Sequence, residues 1–205
     1  METRKFGLLE LSAVRELANI GLGHATTALS DMTGRSFNMS VPSAQAVALT
    51  SLPALLGDES LCAGIYMPVD GDIDGIMAFM FPWSSAQSLW TMLLGSAPDT
   101  VESVSELEAS ALIEIGNIIN GSFLNAIADM TGFTLHATPP ALAVDMSYVI
   151  LESIVAEASL TEHVALSIEN EIFDSEKKAS GVFLYIPTMG GLQALFGALG
   201  IPEAA

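Results

Sequence analysis

The chain has 205 residues, 51% of them hydrophobic and only 15% charged, against about a quarter charged in an average soluble protein. That balance excludes a disordered chain, and the length suffices for one or two compact domains with a substantial core. Twenty-four acidic residues against six basic ones give a net charge of −18, which leaves too few cations for binding nucleic acid or an anionic membrane surface.

Taken in order, the elements fall into two rounds of the same series. A long helix is predicted over about 9–33 and another over about 105–131, with Gly34 and Gly132 as C-terminal stops. Extended segments follow near 36–49 and 133–146, then short helices near 51–56 and 147–154. A hairpin comes next in the first round: "CAGIYMPV", the turn "DGDIDG", then "IMAFMF". The second round has "HVALSIENEIF", a turn around "DSEKK", then "GVFLYIP". Each closes on a helix, about 84–94 and 189–199, and "GSAPDTVES" (95–103) links the halves.

The rounds are a true internal repeat. Residues 12–42, "SAVRELANIGLGHATTALSDMTGRSFNMSVP", lie without a gap over residues 110–140, "SALIEIGNIINGSFLNAIADMTGFTLHATPP". Ser12/Ser110, Glu16/Glu114, Asn19/Asn117, Gly23/Gly121, the "DMTG" blocks and Pro42/Pro140 coincide. Two repeats, about 1–97 and 105–203, therefore build one domain about a pseudo-two-fold axis. Long strands of alternating polarity joined by hairpins predict an α/β fold with a largely antiparallel sheet and helices covering it.

Other chemistries find little support. No stretch reaches the roughly 18 unbroken apolar residues of a membrane span, and "GIMAFMFPW" (75–83) is broken by Pro82. The N-terminus "METRKFGLLEL" has no signal-peptide core, so a soluble cytoplasmic protein is expected. A single cysteine, Cys62, forbids an internal disulfide or a cysteine-based zinc cluster. His24, His136 and His163 show no metal-ligand spacing, so no metal or cofactor of the protein's own is expected. "NIGLGHATT" (19–27) has paired glycines but no G-K-[ST], and it lies within a helix instead of opening one.

On a helix of about 100° per residue, Ser12, Glu16, Asn19 and Gly23 share one narrow stripe. Val14, Leu17, Gly21, Ala25, Ala28, Leu29 and Met32 are expected to face the core. Ser110, Glu114, Asn117 and Gly121 form the same stripe on the second helix, backed by Leu112, Ile115, Ile119, Phe123, Ile127 and Met130. Asn is a mediocre helix former, so helix propensity does not place it twice in a helix interior. Between Ala111 and Gly132 the only charges are Glu114 and Asp129, which suits a face that docks on another protein better than a solvated one.

A carboxamide is a poor base, but it can hold a water by donating one hydrogen bond and accepting another. Phosphoryl transfer through a loose transition state needs chiefly such an oriented nucleophile. An exposed Glu beside it can pair with a partner's Lys and fix the docking.

These residues resemble the CheC-type chemotaxis phosphatases of the CheC/CheX/FliY group. The resemblance spans nearly the whole chain: both "ExxNI" helices, both "DMTG" ends, "DGDIDG" and the C-terminal "YIP". It implies an α/β/α sandwich with both motif helices exposed, and dephosphorylation of the response regulator CheY. In that reading Asn19 and Asn117 orient water toward the aspartyl phosphate, and Glu16 and Glu114 pair with the regulator's Lys. Any Mg²⁺ belongs to the regulator, and the receptor deamidase CheD is an implied partner. Two motifs in one chain differ from the single motif of CheX, and at this length the C-terminal rotor domain of FliY is not expected. The first stripe carries Ala18 and His24 where Gly and Asn are usual, whereas the second keeps "EIGN". The rival expectation is a non-catalytic adaptor or flagellar-switch component on the same fold.

Overall fold

A computed structural model describes residues 7–52, 54, 60–157, 164–188 and 190–201. His163, the end of the helix expected over 51–56 and the first residue of that expected over 189–199 lie outside these.

Helix α1 spans Leu8–Thr33 and α3 spans Glu106–Thr131, 26 residues each. Both end on the expected glycines in the left-handed region, Gly34 at φ 67° and Gly132 at φ 76°, where a side chain would be strained. The repeated "DMTG" block is part of this stop. Thr33 Oγ1 donates to Leu29 O at 2.7 Å and accepts the N–H of Arg35 at 3.3 Å. Thr131 Oγ1 does the same with Ile127 O at 2.6 Å and the N–H of Phe133 at 3.2 Å. Between the motif helices lies α2 (Trp83–Leu94), and α4 (Ser147–Glu157) and α5 (Gly191–Ala198) follow α3.

Among the described residues, eight strands form one antiparallel sheet: β1 (Asn38–Ser40), β2 (Ala44–Ala48), β3 (Leu61–Gly71), β4 (Gly75–Pro82), β5 (Leu135–Ala137), β6 (Ala141–Met146), β7 (Val164–Phe173) and β8 (Lys178–Pro187). The order is β1–β7–β8–β4–β3–β5, with β2 also on β7 and β6 also on β3. Each repeat therefore lends its first two strands to the other: β1 and β2 pair with β7, while β5 and β6 pair with β3. At the centre β4 pairs with β8, and Ala78 faces Leu184. When the hairpin strands are aligned from Gly75 and Gly181, these two are counterparts, so the pseudo-two-fold axis passes between them.

The strands alternate less in polarity than the sequence reading expects. Met77, Phe79, Phe81, Phe183 and Tyr185 pack under the motif helices, whereas Ile76, Ala78, Met80, Leu184 and Ile186 pack under α4. A sheet covered on both faces takes near-continuous apolar strands. The larger core lies on the α1/α3 side, where α2 and α5 also pack, and the smaller is closed by Leu52 and by Ile150, Leu151 and Ile154 of α4. The result is the expected α/β/α sandwich.

Several boundaries shift. β8 begins at Lys178, three residues before the expected strand, because Lys178 pairs with Phe173 directly across the turn. Ala28, Met32 and Met130, expected in the core, are exposed. Ala28 lies at the edge of its helix's buried face. Met32 and Met130 lie beyond Leu29 and Ile127, the last buried residues of their helices.

Candidate functional site

The stripes are held outward by what lies behind them. Leu17, Ala18, Gly21 and Leu22 are buried on the inner face of α1, and Ile115, Gly116, Ile119 and Asn120 on that of α3. Ser12, Glu16, Asn19 and Gly23 are all exposed, as are Ser110, Glu114 and Asn117, while Gly121 is half-buried. Both helices rest on the same face of the sheet, and a two-fold perpendicular to that sheet relates them. The two stripes thus open on one side of the molecule and run in opposite directions.

Two close approaches set the depth of the helices. A Cβ on Gly21 would meet Phe123 Cα at 2.9 Å, so the motif helices touch nearly backbone to backbone there. A Cβ on Gly116 would meet Ile65 Cγ2 at 2.3 Å, which seats α3 directly on β3. Its counterpart is Ala18, whose methyl is buried. The difference at these positions is therefore a packing difference beneath the stripe.

The helix starts are also fixed. Ser105 N–H and Oγ both donate to the Glu108 carboxylate, the former at 2.9 Å, a capping box that satisfies free helix donors. Those hydrogen bonds hold the Glu108 carboxyl below its ordinary range. Trp90, fully buried in α2, donates from Nε1 to Glu108 O at 2.8 Å and ties α3 to the closing helix of the first repeat.

At the stripe itself, the side chains of Glu16, Asn19, Glu114 and Asn117 have no hydrogen bond or ion pair with the rest of the described residues. Each site offers an uncommitted carboxylate and an uncommitted amide one turn apart. The flanks differ: Arg15 and His24 border the first stripe, where Ile113 and Ser122 border the second.

Elsewhere the chemistry is sparse. His24 and His136 are exposed, and among the described residues no group of three or more His, Cys, Asp or Glu converges. Burial pushes the Cys62 thiol up, away from the reactive thiolate. The segment 19–27 is continuous helix, so its N–H groups are engaged in the helix instead of forming a phosphate cradle. By length and hydropathy α3 could cross a membrane, yet half of its most apolar window is buried inside the protein.

Five polar or charged residues are buried among those described, and Asn120 stands out among them. Asn120 is fully buried, and neither of its amide atoms has a hydrogen-bond partner among the described residues. Its repeat counterpart is Leu22. The signal was present: this Asn interrupts the apolar face of α3.

Comparison with known proteins places this geometry in context. The CheC-like family matches residues 9–44 and 107–144, one segment per repeat, each carrying a stripe. The chain is 31% identical over 197 residues to a Bacillus subtilis protein named "CheY-P phosphatase CheC", covering 93% of this chain and 94% of that one. Thermotoga maritima FliY matches with a TM-score of 0.75 at 17% identity, over 95% of this chain and 98% of that one. A chain of the CheX–CheY–BeF3–Mg+2 complex from Borrelia burgdorferi matches with a TM-score of 0.52 at 20% identity, over 82% and 96% of the two chains.

Proposed function

Because the chain belongs to the CheC-like family, we propose that it is a phosphatase for the aspartyl phosphate of the chemotaxis response regulator CheY. The observation that carries this reading is the duplicated, solvent-facing Glu–Asn pair with no side-chain partner among the described residues. The relative named as a CheY-P phosphatase, at 31% identity over 93% of the chain, supports the reaction class.

Asn19 or Asn117 enters the regulator's phosphorylation site and holds a water in line with the phosphorus. The amide N–H donates to the water oxygen, and the amide oxygen accepts one of its protons. The water oxygen forms the new bond to phosphorus while the bond from phosphorus to the aspartate oxygen breaks. The aspartate carboxylate is regenerated, inorganic phosphate leaves, and the proton passes to solvent. Glu16 or Glu114 pairs with a lysine at the regulator's site and fixes the depth of insertion. Mg²⁺ is part of the phosphorylated substrate, where it offsets charge on the phosphoryl oxygens.

The test follows phosphate loss from phosphorylated CheY with wild-type protein and with Asn19→Ala/Asn117→Ala. Wild type is expected to accelerate it, and the double variant to lose roughly 10²-fold or more, the scale for removing one aligned transition-state donor. Equal decay with both proteins would end the proposal. Stoichiometric binding without acceleration by wild type would favour the adaptor instead.

A further inference from the structure

Seven large hydrophobic side chains are exposed among the described residues, and three of them stand at the starts of the motif helices: Leu8, Leu9 and Leu107. Leu9 and Leu107 are repeat counterparts, 70% and 64% exposed. Scattered exposed leucines need no explanation. These two coincide in register and in exposure, and both border the stripe.

With Asn19 at zero on the helical wheel, Ser12 lies at about 20°, Gly23 at about 40°, Glu16 at about 60° and Leu9 at about 80°. Along the axis Leu9 precedes Asn19 by ten residues, about 15 Å. Each stripe therefore reads, from its N-terminal end, as an apolar knob, a small hydroxyl, an anion, an amide and a glycine. Met32 and Met130 are also counterparts and exposed, but they lie about 140° from the Asn, on the side that faces the core.

We infer that Leu9 and Leu107 are docking anchors for the phosphorylated response regulator, each seating on an apolar patch of its surface about 15 Å from the acyl phosphate. This rests on the phosphatase reading and extends it, because whatever docks along the stripe must also cover the leucine at its end. The Glu and Asn supply charge and chemistry but little apolar area. The leucine supplies area that is hidden from water only when the partner is in place. It does not touch the reacting atoms, so it acts on binding and leaves the chemical step alone.

The experiment uses full-length protein and CheY phosphorylated by a small-molecule phosphodonor, with KM and kcat measured separately. Leu9→Ser/Leu107→Ser is expected to raise KM roughly ten-fold or more with kcat unchanged, and Leu9→Met/Leu107→Met to restore most of it. To isolate one site, Leu107→Ser is placed in Asn19→Ala and Leu9→Ser in Asn117→Ala, and each is expected to raise KM in the same way. An unchanged KM in the serine variants, while Asn19→Ala/Asn117→Ala abolishes hydrolysis, overturns the anchors and leaves the phosphatase standing. Full hydrolysis by the double Asn variant overturns the phosphatase reading itself. If the serine variants change the sedimentation of the free protein while KM stays the same, the leucines serve a contact between copies of this chain, and the inference is wrong.

Discussion

Gly116 and Ile65 are packed so closely that a single added methyl would place Cβ 2.3 Å from Ile65 Cγ2. A contact that short must be relieved by a shift of the buried Ile65 side chain or of the helix that carries Glu114 and Asn117. Gly116→Ala gains about 1 kcal/mol of helix propensity but costs about 1–3 kcal/mol in overpacking, and Gly116→Val costs more. Gly121→Ala, with nothing within 4 Å of the new carbon, is expected to stabilise by about 0.5–1 kcal/mol. Denaturant unfolding of the variants checks both signs.

The orphaned amide of Asn120 makes a second prediction. Replacing it by its repeat counterpart, Asn120→Leu, removes two buried polar atoms without partners among the described residues and keeps the branching of the side chain, at the cost of two methyls bulkier than the amide. The expected gain is about 1–2 kcal/mol, read from the shift in denaturant midpoint at constant slope. A loss of stability would mean that the added bulk, or a water held by the amide, outweighs this gain.

The two stripe residues should separate kinetically. Glu16→Ala/Glu114→Ala removes a charge pair made on docking, so KM is expected to rise by about ten-fold with a smaller change in kcat. Asn19→Ala/Asn117→Ala removes an interaction realised in the transition state, so kcat is expected to fall with KM little changed. Steady-state measurements on phosphorylated CheY distinguish the two patterns.

The capping box of α3 gives a pH signature. Hydrogen bonds from Ser105 hold the Glu108 carboxyl below its ordinary range. The folded protein thus binds this proton less readily than the unfolded chain. The resulting stability is present above the unfolded carboxylate pKa and is lost as the pH falls through the lower folded value. Glu108→Ala is therefore expected to lower the melting temperature at neutral pH, and the difference from wild type is expected to shrink in acid. A difference that stays constant with pH would show that the charge is irrelevant.

The repeat made most of the architecture readable. Ser12/Ser110, Glu16/Glu114 and Asn19/Asn117 stand in identical register, and an exposed helical stripe follows directly from that spacing. The glycine stops at 34 and 132 were equally plain, because only a left-handed residue ends a helix in that way. Strand pairing was not readable. Residue 172 lies far from Met39 in the chain, and nothing local says that they pair. The helix ends misled for a related reason. Periodicity puts Met32 and Met130 on the inner face, but burial needs a neighbour, and none remains in the last turn. Leu9 and Leu107 are not legible in the sequence, because an isolated leucine at a helix start has the same pattern as ordinary core.

The exchange of strands between the halves has a consequence for how the chain holds together. Neither half completes its own sheet: without its companion, β7 loses β1 and β2, and β3 loses β5 and β6. The halves are clasped rather than juxtaposed, so they should melt in one transition, and a nick in the linker at 95–103 should leave the pieces associated. A lone half would present the bare edge of β4 or β8 and pair with a copy of itself, rebuilding in two chains the symmetry that this protein carries in one.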